Sequence, residues 1–106
     1  MTRRLVLAPG AWRPDDLEPA VAWLRQGGVV AFPTDTLYGL ACDVRNADAV
    51  RTIFDVKGRG RESALPVIAG SAAQVEALTG PFSARERRLV SRAWPGPLSL
   101  IREAPA

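Results

Sequence analysis

The 106-residue sequence has no histidine, one cysteine and one lysine. The missing histidine removes the commonest general base and metal ligand, and with it every Ser-His or Cys-His nucleophile pair. The single Cys42 excludes an intrachain disulfide and a cysteine-rich metal site, so we assign no metal ligands and expect Cys42 to be a small core side chain. Any catalysis must therefore rely on charge and on the positioning of reactants.

Long hydrophobic runs are also missing. No apolar run approaches the ~20 residues that a membrane helix needs, and the apolar segment near the N-terminus is too short for a secretory signal. We therefore expect a cytoplasmic protein. Its length suits one small globular domain at most.

The net charge of +3 is carried by thirteen arginines and a single lysine, Lys57. A ratio this uneven is typical of nucleotide bias in a genome, and arginine-specific recognition is the alternative. The isolated lysine is therefore a candidate functional residue.

Alternating strand and helix patterns predict an α/β fold, with a mixed twisted sheet flanked by helices and joined by right-handed crossovers. Apolar runs predict five short strands, over residues 4–8, 29–32, 37–42, 65–69 and 98–102. Helical spacing and capping residues predict four helices, over residues 15–26, 47–55, 72–78 and 84–93. Asn46 is the expected N-cap of the second, and Ser71–Gln74 and Ser83–Glu86 are the expected capping boxes of the last two. Strand 29–32 is a continuous apolar run closed by Pro33, which is the pattern of a strand buried on both faces.

A first polar cluster follows this strand. Thr34, Asp35, Thr36 and Tyr38 come just past its end, where open α/β sheets bind ligands. The alternative is a loop whose hydroxyl groups only satisfy its own backbone.

The second polar cluster is Lys57, Arg59 and Arg61, which we place in one glycine-rich loop. The glycines between these cations allow the backbone to approach phosphate oxygens closely. The loop lacks the Walker A pattern. A solvated run of charges is the alternative.

Several motifs, in this order, resemble the signatures of the YrdC-like family of threonylcarbamoyl-AMP synthases. They are Gly-Val-Val-Ala-Phe-Pro-Thr-Asp-Thr-Leu-Tyr-Gly-Leu from Gly28, then Ile-Phe from Ile53, Lys-Gly-Arg from Lys57, Leu65 and Trp-Pro-Gly-Pro-Leu from Trp94. The resemblance implies a YrdC/RibB-like fold. It also implies L-threonylcarbamoyladenylate synthase activity, a nucleotidyltransferase reaction that uses threonine, bicarbonate and ATP with Mg²⁺ and supplies a tRNA threonylcarbamoyltransferase for tRNA modification.

The resemblance also implies roles for individual residues. Thr34, Thr36 and Tyr38 match the part of the family site that binds threonine. Lys57 and Arg59 match the Lys-x-Arg pair that acts on the ATP phosphates, and Arg61 is added to the nucleotide-binding group.

This sequence departs from the family pattern at several points. Gly60 and Ala64 stand where the family commonly has proline, and Ser99 stands where it has threonine. The family domain continues for about as long again, with a Ser-x-Asn motif and an arginine that complete the nucleotide and threonine pocket. We therefore interpret residues 1–106 as the N-terminal portion of a single YrdC-like domain, and expect the chain by itself to be a weak catalyst or none.

Three other functions remain open. The YrdC-like fold is associated with double-stranded RNA binding, and Arg85, Arg88 and Arg92 recur along one side of the last predicted helix, so an RNA- or tRNA-binding module without catalysis is the main alternative. A solvated helix face explains the same stripe. A HypF-type carbamoyl-transfer protein and a YciO-type paralogue are the others.

Overall fold

A computed structural model gives the fold of this chain and describes residues 2–58, 60 and 65–103. Two compact units divide the chain, Met1–Leu65 and Pro66–Ala106. The first contains a 3-10 helix (Pro14–Leu17), α1 (Glu18–Arg25), β1 (Val30–Phe32), β2 (Gly39–Ala41) and α2 (Ala47–Lys57). The second contains α3 (Ala72–Thr79) and α4 (Ala84–Ala93). The described helices and small sheet confirm the α/β class.

A pair of glycines, Gly27 and Gly28, follows the C-cap of helix α1. Gly27 has a φ of 89°, a left-handed value that favours glycine. Its N–H donates to Leu24 O at 3.0 Å, and the N–H of Gly28 donates to Trp23 O at 2.9 Å. These are the two hydrogen bonds of a Schellman motif, so the chain turns sharply into the strand that follows.

Strands β1 and β2 form an antiparallel pair, with Val30 opposite Ala41 and Phe32 opposite Gly39. The predicted strands 29–32 and 37–42 are thus confirmed in shorter form. The prediction that the first is buried on both faces is wrong, because Ala31 is exposed. The predicted right-handed crossovers are also wrong for the described residues, whose strands form one antiparallel pair.

Helix α2 confirms its predicted start and extends two residues beyond its predicted end. Asn46 Oδ1 accepts a hydrogen bond from Ala49 N at 3.1 Å, which is an N-cap. One face of the helix is buried through Ala49, Ile53 and Phe54. That face anchors the helix end that carries Lys57.

In the second unit, Ser83 and Glu86 form the predicted capping box at the start of α4. The capping box predicted for Ser71 and Gln74 forms only in part. Ser71 accepts from Gln74 N at 3.2 Å, but the Gln74 side chain accepts from Gly70 N instead of from Ser71. The Gln74 side chain therefore satisfies the backbone N–H of Gly70, the residue that precedes the N-cap Ser71.

Arg102 connects both helices of the second unit to the segment that follows them. Its Nε donates to Glu86 Oε2 at 2.7 Å. Its Nη atoms also donate to acceptors at the end of α3 and in the turn that follows, namely Thr79 Oγ1, Gly80 O and Pro81 O. The guanidinium also lies 4.9 Å from the centre of the Phe82 ring, which is buried.

Three predicted strands, over residues 4–8, 65–69 and 98–102, are wrong, because no strand forms there. Their apolar side chains include Val6, Ile68 and Ile101, which are 82%, 83% and 96% exposed. A run of apolar residues becomes a strand only when a neighbouring strand pairs with its backbone, and the described residues provide no such partner. Within the same part of the chain, no helix has the length and apolar character to cross a membrane.

Candidate functional site

The first polar cluster lies on the connection between β1 and β2, and an aromatic side chain fixes the base of this connection. A Cβ atom added at Gly39 would lie 2.8 Å from Cζ of Phe32, its partner across the strands. The Phe32 ring therefore occupies the space that a side chain at position 39 would need. The ring thus lies over the backbone of Gly39, at the paired strand ends on either side of residues 33–38.

Inside this connection, the Thr34 hydroxyl organises the turn. Its oxygen accepts a hydrogen bond from Thr36 N at 3.2 Å, and its proton is donated to Leu37 O. The hydroxyl oxygens of Thr34 and Thr36 lie 3.5 Å apart. The structure thus brings the two predicted threonines together, and the bonds of Thr34 are those expected of a loop that satisfies its own backbone.

The whole connection is open to solvent. Thr34, Asp35 and Thr36 are exposed, and so are the apolar Leu37 and the aromatic Tyr38, each 79% exposed. The connection therefore presents hydroxyl, apolar and aromatic side chains to solvent.

Lys57 lies in the same unit but not in a loop, so that part of the prediction is wrong. It is the last residue of α2, is exposed, and is followed by Gly58 with a left-handed φ of 66°. A cation in the last turn of a helix is favoured by the helix dipole, which gives Lys57 a structural role as well. Arg59 and Arg61 lie outside the described residues.

An ion pair between β2 and α2 was missed at the sequence level. Arg45 donates from Nε to Asp43 Oδ1 at 3.0 Å and from Nη2 to Oδ2 at 2.8 Å, and its backbone N–H also donates to Oδ1 at 3.0 Å. These bonds lower the pKa of Asp43 to about 2, and the hydrogen bonds from the Arg45 side chain contribute most. The Asp-x-Arg spacing before an N-cap was the available signal, although it is weak.

Cys42, next to this pair, is half-buried rather than a core residue. Burial, with a smaller contribution from the charge of Asp43, raises the pKa of its thiol. The thiol is therefore protonated at neutral pH, which is the unreactive form.

The arginine stripe of α4 lines a shallow open depression of about 350 Å³ in the second unit. Its lining residues are all exposed and comprise Arg85, Arg88, Leu89 and Arg92. The neighbouring Arg87 belongs to a different contact, 3.3 Å from Glu76 Oε2. Three of the four arginines of α4 therefore share one exposed face.

Among residues 2–58, 60 and 65–103, no three cysteine or carboxylate side chains are grouped closely enough to hold a metal ion.

Comparison with known proteins gives a consistent set of relatives. The family model Sua5_yciO_yrdC, described as "Telomere recombination", matches residues 22–106. A threonylcarbamoyl-AMP synthase from Halorhodospira halophila is 41% identical over 93 residues, which make up 88% of this chain and 49% of that protein. The enzyme of the same name from Bacillus subtilis is 46% identical over 82 residues, or 77% of this chain and 24% of that protein. The chain thus spans about half the length of the first and about a quarter of the second.

Two solved structures that resemble this chain are of P. abyssi Sua5. A crystal structure of P. abyssi Sua5 complexed with L-threonine matches with a TM-score of 0.69 and 36% identity, over 76% of this chain and 24% of that one. A doubly substituted form of P. abyssi Sua5 matches with a TM-score of 0.74 and 33% identity, over 82% of this chain and 27% of that one.

Proposed function

Because this chain belongs to the Sua5/YciO/YrdC family, we propose that it takes part in L-threonylcarbamoyladenylate synthesis. In that reaction threonine and bicarbonate condense to a carbamate with loss of water, and the carbamate displaces pyrophosphate from ATP to form threonylcarbamoyl-AMP. The product is passed to a tRNA threonylcarbamoyltransferase for tRNA modification in the cytoplasm. Relatives at 41% and 46% identity carry the name of this activity.

The observation that carries the proposal is the match to a Sua5 structure complexed with L-threonine. The exposed connection between β1 and β2 has features suited to such a ligand. It offers the hydroxyl groups of Thr34 and Thr36, 3.5 Å apart, and the exposed side chain of Tyr38. Threonine likewise combines polar groups with a methyl group, so we assign these three residues to threonine.

Lys57, Arg59 and Arg61 are assigned to the nucleotide. The carbamate is an anion that attacks an anionic α-phosphate, so the chief tasks are to lower this repulsion and to hold the reactants in line. Cations accomplish this without a histidine, and each charge-assisted contact is worth about 1.5–3 kcal/mol. Mg²⁺ enters as part of the MgATP substrate, because Mg²⁺ is commonly held through substrate phosphates rather than by a dedicated protein site.

Threonine binding is the direct test, because the three residues assigned to threonine lie on the connection between β1 and β2. Threonine is titrated into the ¹⁵N-labelled chain, and the amide signals of residues 34–38 are followed by NMR. We expect saturable shifts with threonine and weaker ones with valine, which replaces the hydroxyl by a methyl group. An absence of saturable shifts at millimolar threonine would contradict the proposal.

A second candidate function, double-stranded RNA or tRNA binding, is favoured by the α4 depression. Three arginines on one exposed face provide the positive charge that attracts phosphate, and a guanidinium binds phosphate through two parallel hydrogen bonds. On this proposal the α4 face binds the nucleic acid backbone without reading its sequence.

Salt dependence and a matched variant test this candidate. Binding of a short labelled RNA duplex is measured by fluorescence anisotropy over a range of salt concentrations. The Arg88→Gln variant should weaken binding and reduce the salt slope by about 1, whereas Arg87→Gln, on the same helix but outside the depression, should have a smaller effect. Affinity that does not change with salt would rule out this function.

A further inference from the structure

Two side chains cover the glycine pair that joins α1 to β1. A Cβ atom added at Gly27 would lie 2.7 Å from Nδ2 of Asn46, so the Asn46 amide occupies the space that a side chain at position 27 would need. The Trp23 indole occupies the same space at Gly28, and its N–H donates to Val29 O at 3.2 Å. The turn into the strand is therefore held from two sides.

Asn46 is the member of this arrangement that comes from a later part of the chain. Its Oδ1 accepts from Ala49 N at 3.1 Å and caps α2, while its Nδ2 lies against Gly27 after the end of α1. One half-buried side chain thus starts one helix and rests on the turn that closes another. The start of α2 is seated on the turn that leads into β1.

This seat bears on the far end of α2, where Lys57 is the last residue. The helix has eleven residues and is about 16 Å long, so a tilt of about 5° at its start moves Lys57 by about 1.4 Å. A charge-assisted hydrogen bond spans only about 2.7–2.9 Å, so a displacement of this size is enough to break one. The seat of Asn46 therefore limits where the Lys57 ammonium group lies.

We propose that Asn46 is a positioning residue for the nucleotide, which seats α2 on the α1–β1 turn and thereby places Lys57. This inference rests on the proposed function, because it assumes that Lys57 meets the ATP phosphates. Asn46 then has a role besides helix capping, and the two roles belong to different atoms, Oδ1 for the cap and Nδ2 for the seat. Substitution can therefore separate them.

The experiment compares Asn46→Ser with Asn46→Asp in the whole chain. Serine is a favoured N-cap residue but is too short to cover Gly27, whereas aspartate keeps both a capping oxygen and the full length of the side chain. The solvent-exchange rate of the Ala49 amide reports the cap, and the NMR signal of ¹³C-methylated Lys57, titrated with MgATP, reports nucleotide affinity. At about 0.15 M salt the screening length is about 8 Å, shorter than α2, so the aspartate charge has little effect at Lys57.

In Asn46→Ser we expect MgATP affinity to fall roughly fivefold, which is part of the tenfold to hundredfold effect of losing the Lys57 contact outright. The Ala49 amide should stay protected to within about twofold, because the cap is kept. Asn46→Asp should keep both quantities within about twofold of the unsubstituted chain. A loss of affinity with an intact cap, rescued by aspartate, supports the positioning role.

A double-mutant cycle in urea tests the seat itself. Gly27→Ala should destabilise the unsubstituted chain more than the Asn46→Ser chain, because the added Cβ meets the Asn46 amide only in the former. The cost of placing alanine at the left-handed φ of 89° is the same in both backgrounds and cancels. Equal destabilisation in both would show that Asn46 is not seated on Gly27, and the inference would be wrong.

Three results of the titrations would also overturn the inference. If MgATP affinity is unchanged in Asn46→Ser, the seat does not place Lys57. If the Ala49 amide loses protection in step with the affinity, Asn46 acts only as a cap. If Asn46→Asp loses as much affinity as Asn46→Ser, the length of the side chain is not what matters. Failure of the proposed function is distinct from these, because the Lys57 signal of the unsubstituted chain would then not respond to MgATP at all.

Discussion

Arg102 and Glu86 form a two-point ion pair, with Nε donating to Oε2 at 2.7 Å and Nη2 to Oε1 at 3.3 Å. Glu86 Oε1 also accepts from the Ser83 backbone N–H at 2.9 Å, so one carboxylate completes a helix cap and holds Arg102. The Ser83 N–H first, and Arg102 second, lower the pKa of Glu86. The local capping of α4 is thereby coupled to the segment after it.

Replacing Arg102 should destabilise the second unit. Arg102→Met removes the ion pair and leaves the carbonyls of Gly80 and Pro81 without their donor, and the Arg102 side chain is only 16% exposed. We expect the free energy of unfolding to fall by about 2 kcal/mol. Urea denaturation followed by tryptophan fluorescence measures it, since Trp94 packs edge-on against Phe82 in this unit. Arg88→Met, at an exposed position, is the control, and an equal loss in both variants would contradict the prediction.

The Asp43–Arg45 pair gives a prediction about pH. The folded-state pKa of Asp43, about 2, lies below its ordinary value of 3.8, so the pair contributes stability above pH 3.8 and loses it as the pH falls toward 2. Arg45→Gln should raise the pKa of Asp43, but not fully to 3.8, because the backbone N–H of residue 45 still donates to the carboxylate. NMR titration of the Asp43 carboxyl carbon measures the change.

Arg51→Gln is the matched control, because Arg51 pairs with Asp48 and not with Asp43. The Asp43 pKa should be the same in this variant as in the unsubstituted chain. An Asp43 pKa that does not respond to Arg45→Gln would show that the side-chain pair does not form in solution.

The sequence predicts the helices much better than the strands, and the reason is the range of the interactions involved. The Asn46 and Ser83 caps and the Gly27 turn depend on hydrogen bonds that span only a few residues, so local patterns are sufficient. Strands 4–8, 65–69 and 98–102 were predicted from apolar runs alone. A strand also requires a partner, which a local pattern does not supply.

In the candidate site, too, local features are predicted from the sequence and longer-range contacts are not. The sequence predicts that Thr34 and Thr36 follow a strand, and this is where the structure has them. It does not predict the Thr34 bonds that close the turn. Arg102 was not identified at all, because its acceptors lie 16 to 23 residues earlier in the chain.

Gly39 should resist substitution because of Phe32. The backbone at Gly39 does not have a positive φ, so alanine is conformationally allowed, but its Cβ would lie 2.8 Å from Phe32 Cζ. We expect Gly39→Ala to lower the free energy of unfolding by about 1–2 kcal/mol through overpacking. A double-mutant cycle in urea isolates the contact, since the same substitution should cost less in a Phe32→Ala background. Equal costs in both backgrounds would mean that the ring does not lie over Gly39.

Lys57 should contact the nucleotide, and its being the sole lysine makes this measurable. Reductive ¹³C-methylation gives one side-chain NMR signal for Lys57 besides that of the N-terminal amine, and MgATP should shift it saturably. Lys57→Gln should weaken MgATP binding roughly tenfold to a hundredfold, the effect of losing one charge-assisted contact. Arg51→Gln removes a positive charge from the same helix and controls for general electrostatic attraction. The prediction is contradicted if both variants weaken MgATP binding equally, or if the Lys57 signal does not respond to MgATP. The role of Lys57 is then confined to the C-terminal end of α2, where the helix dipole favours a cation.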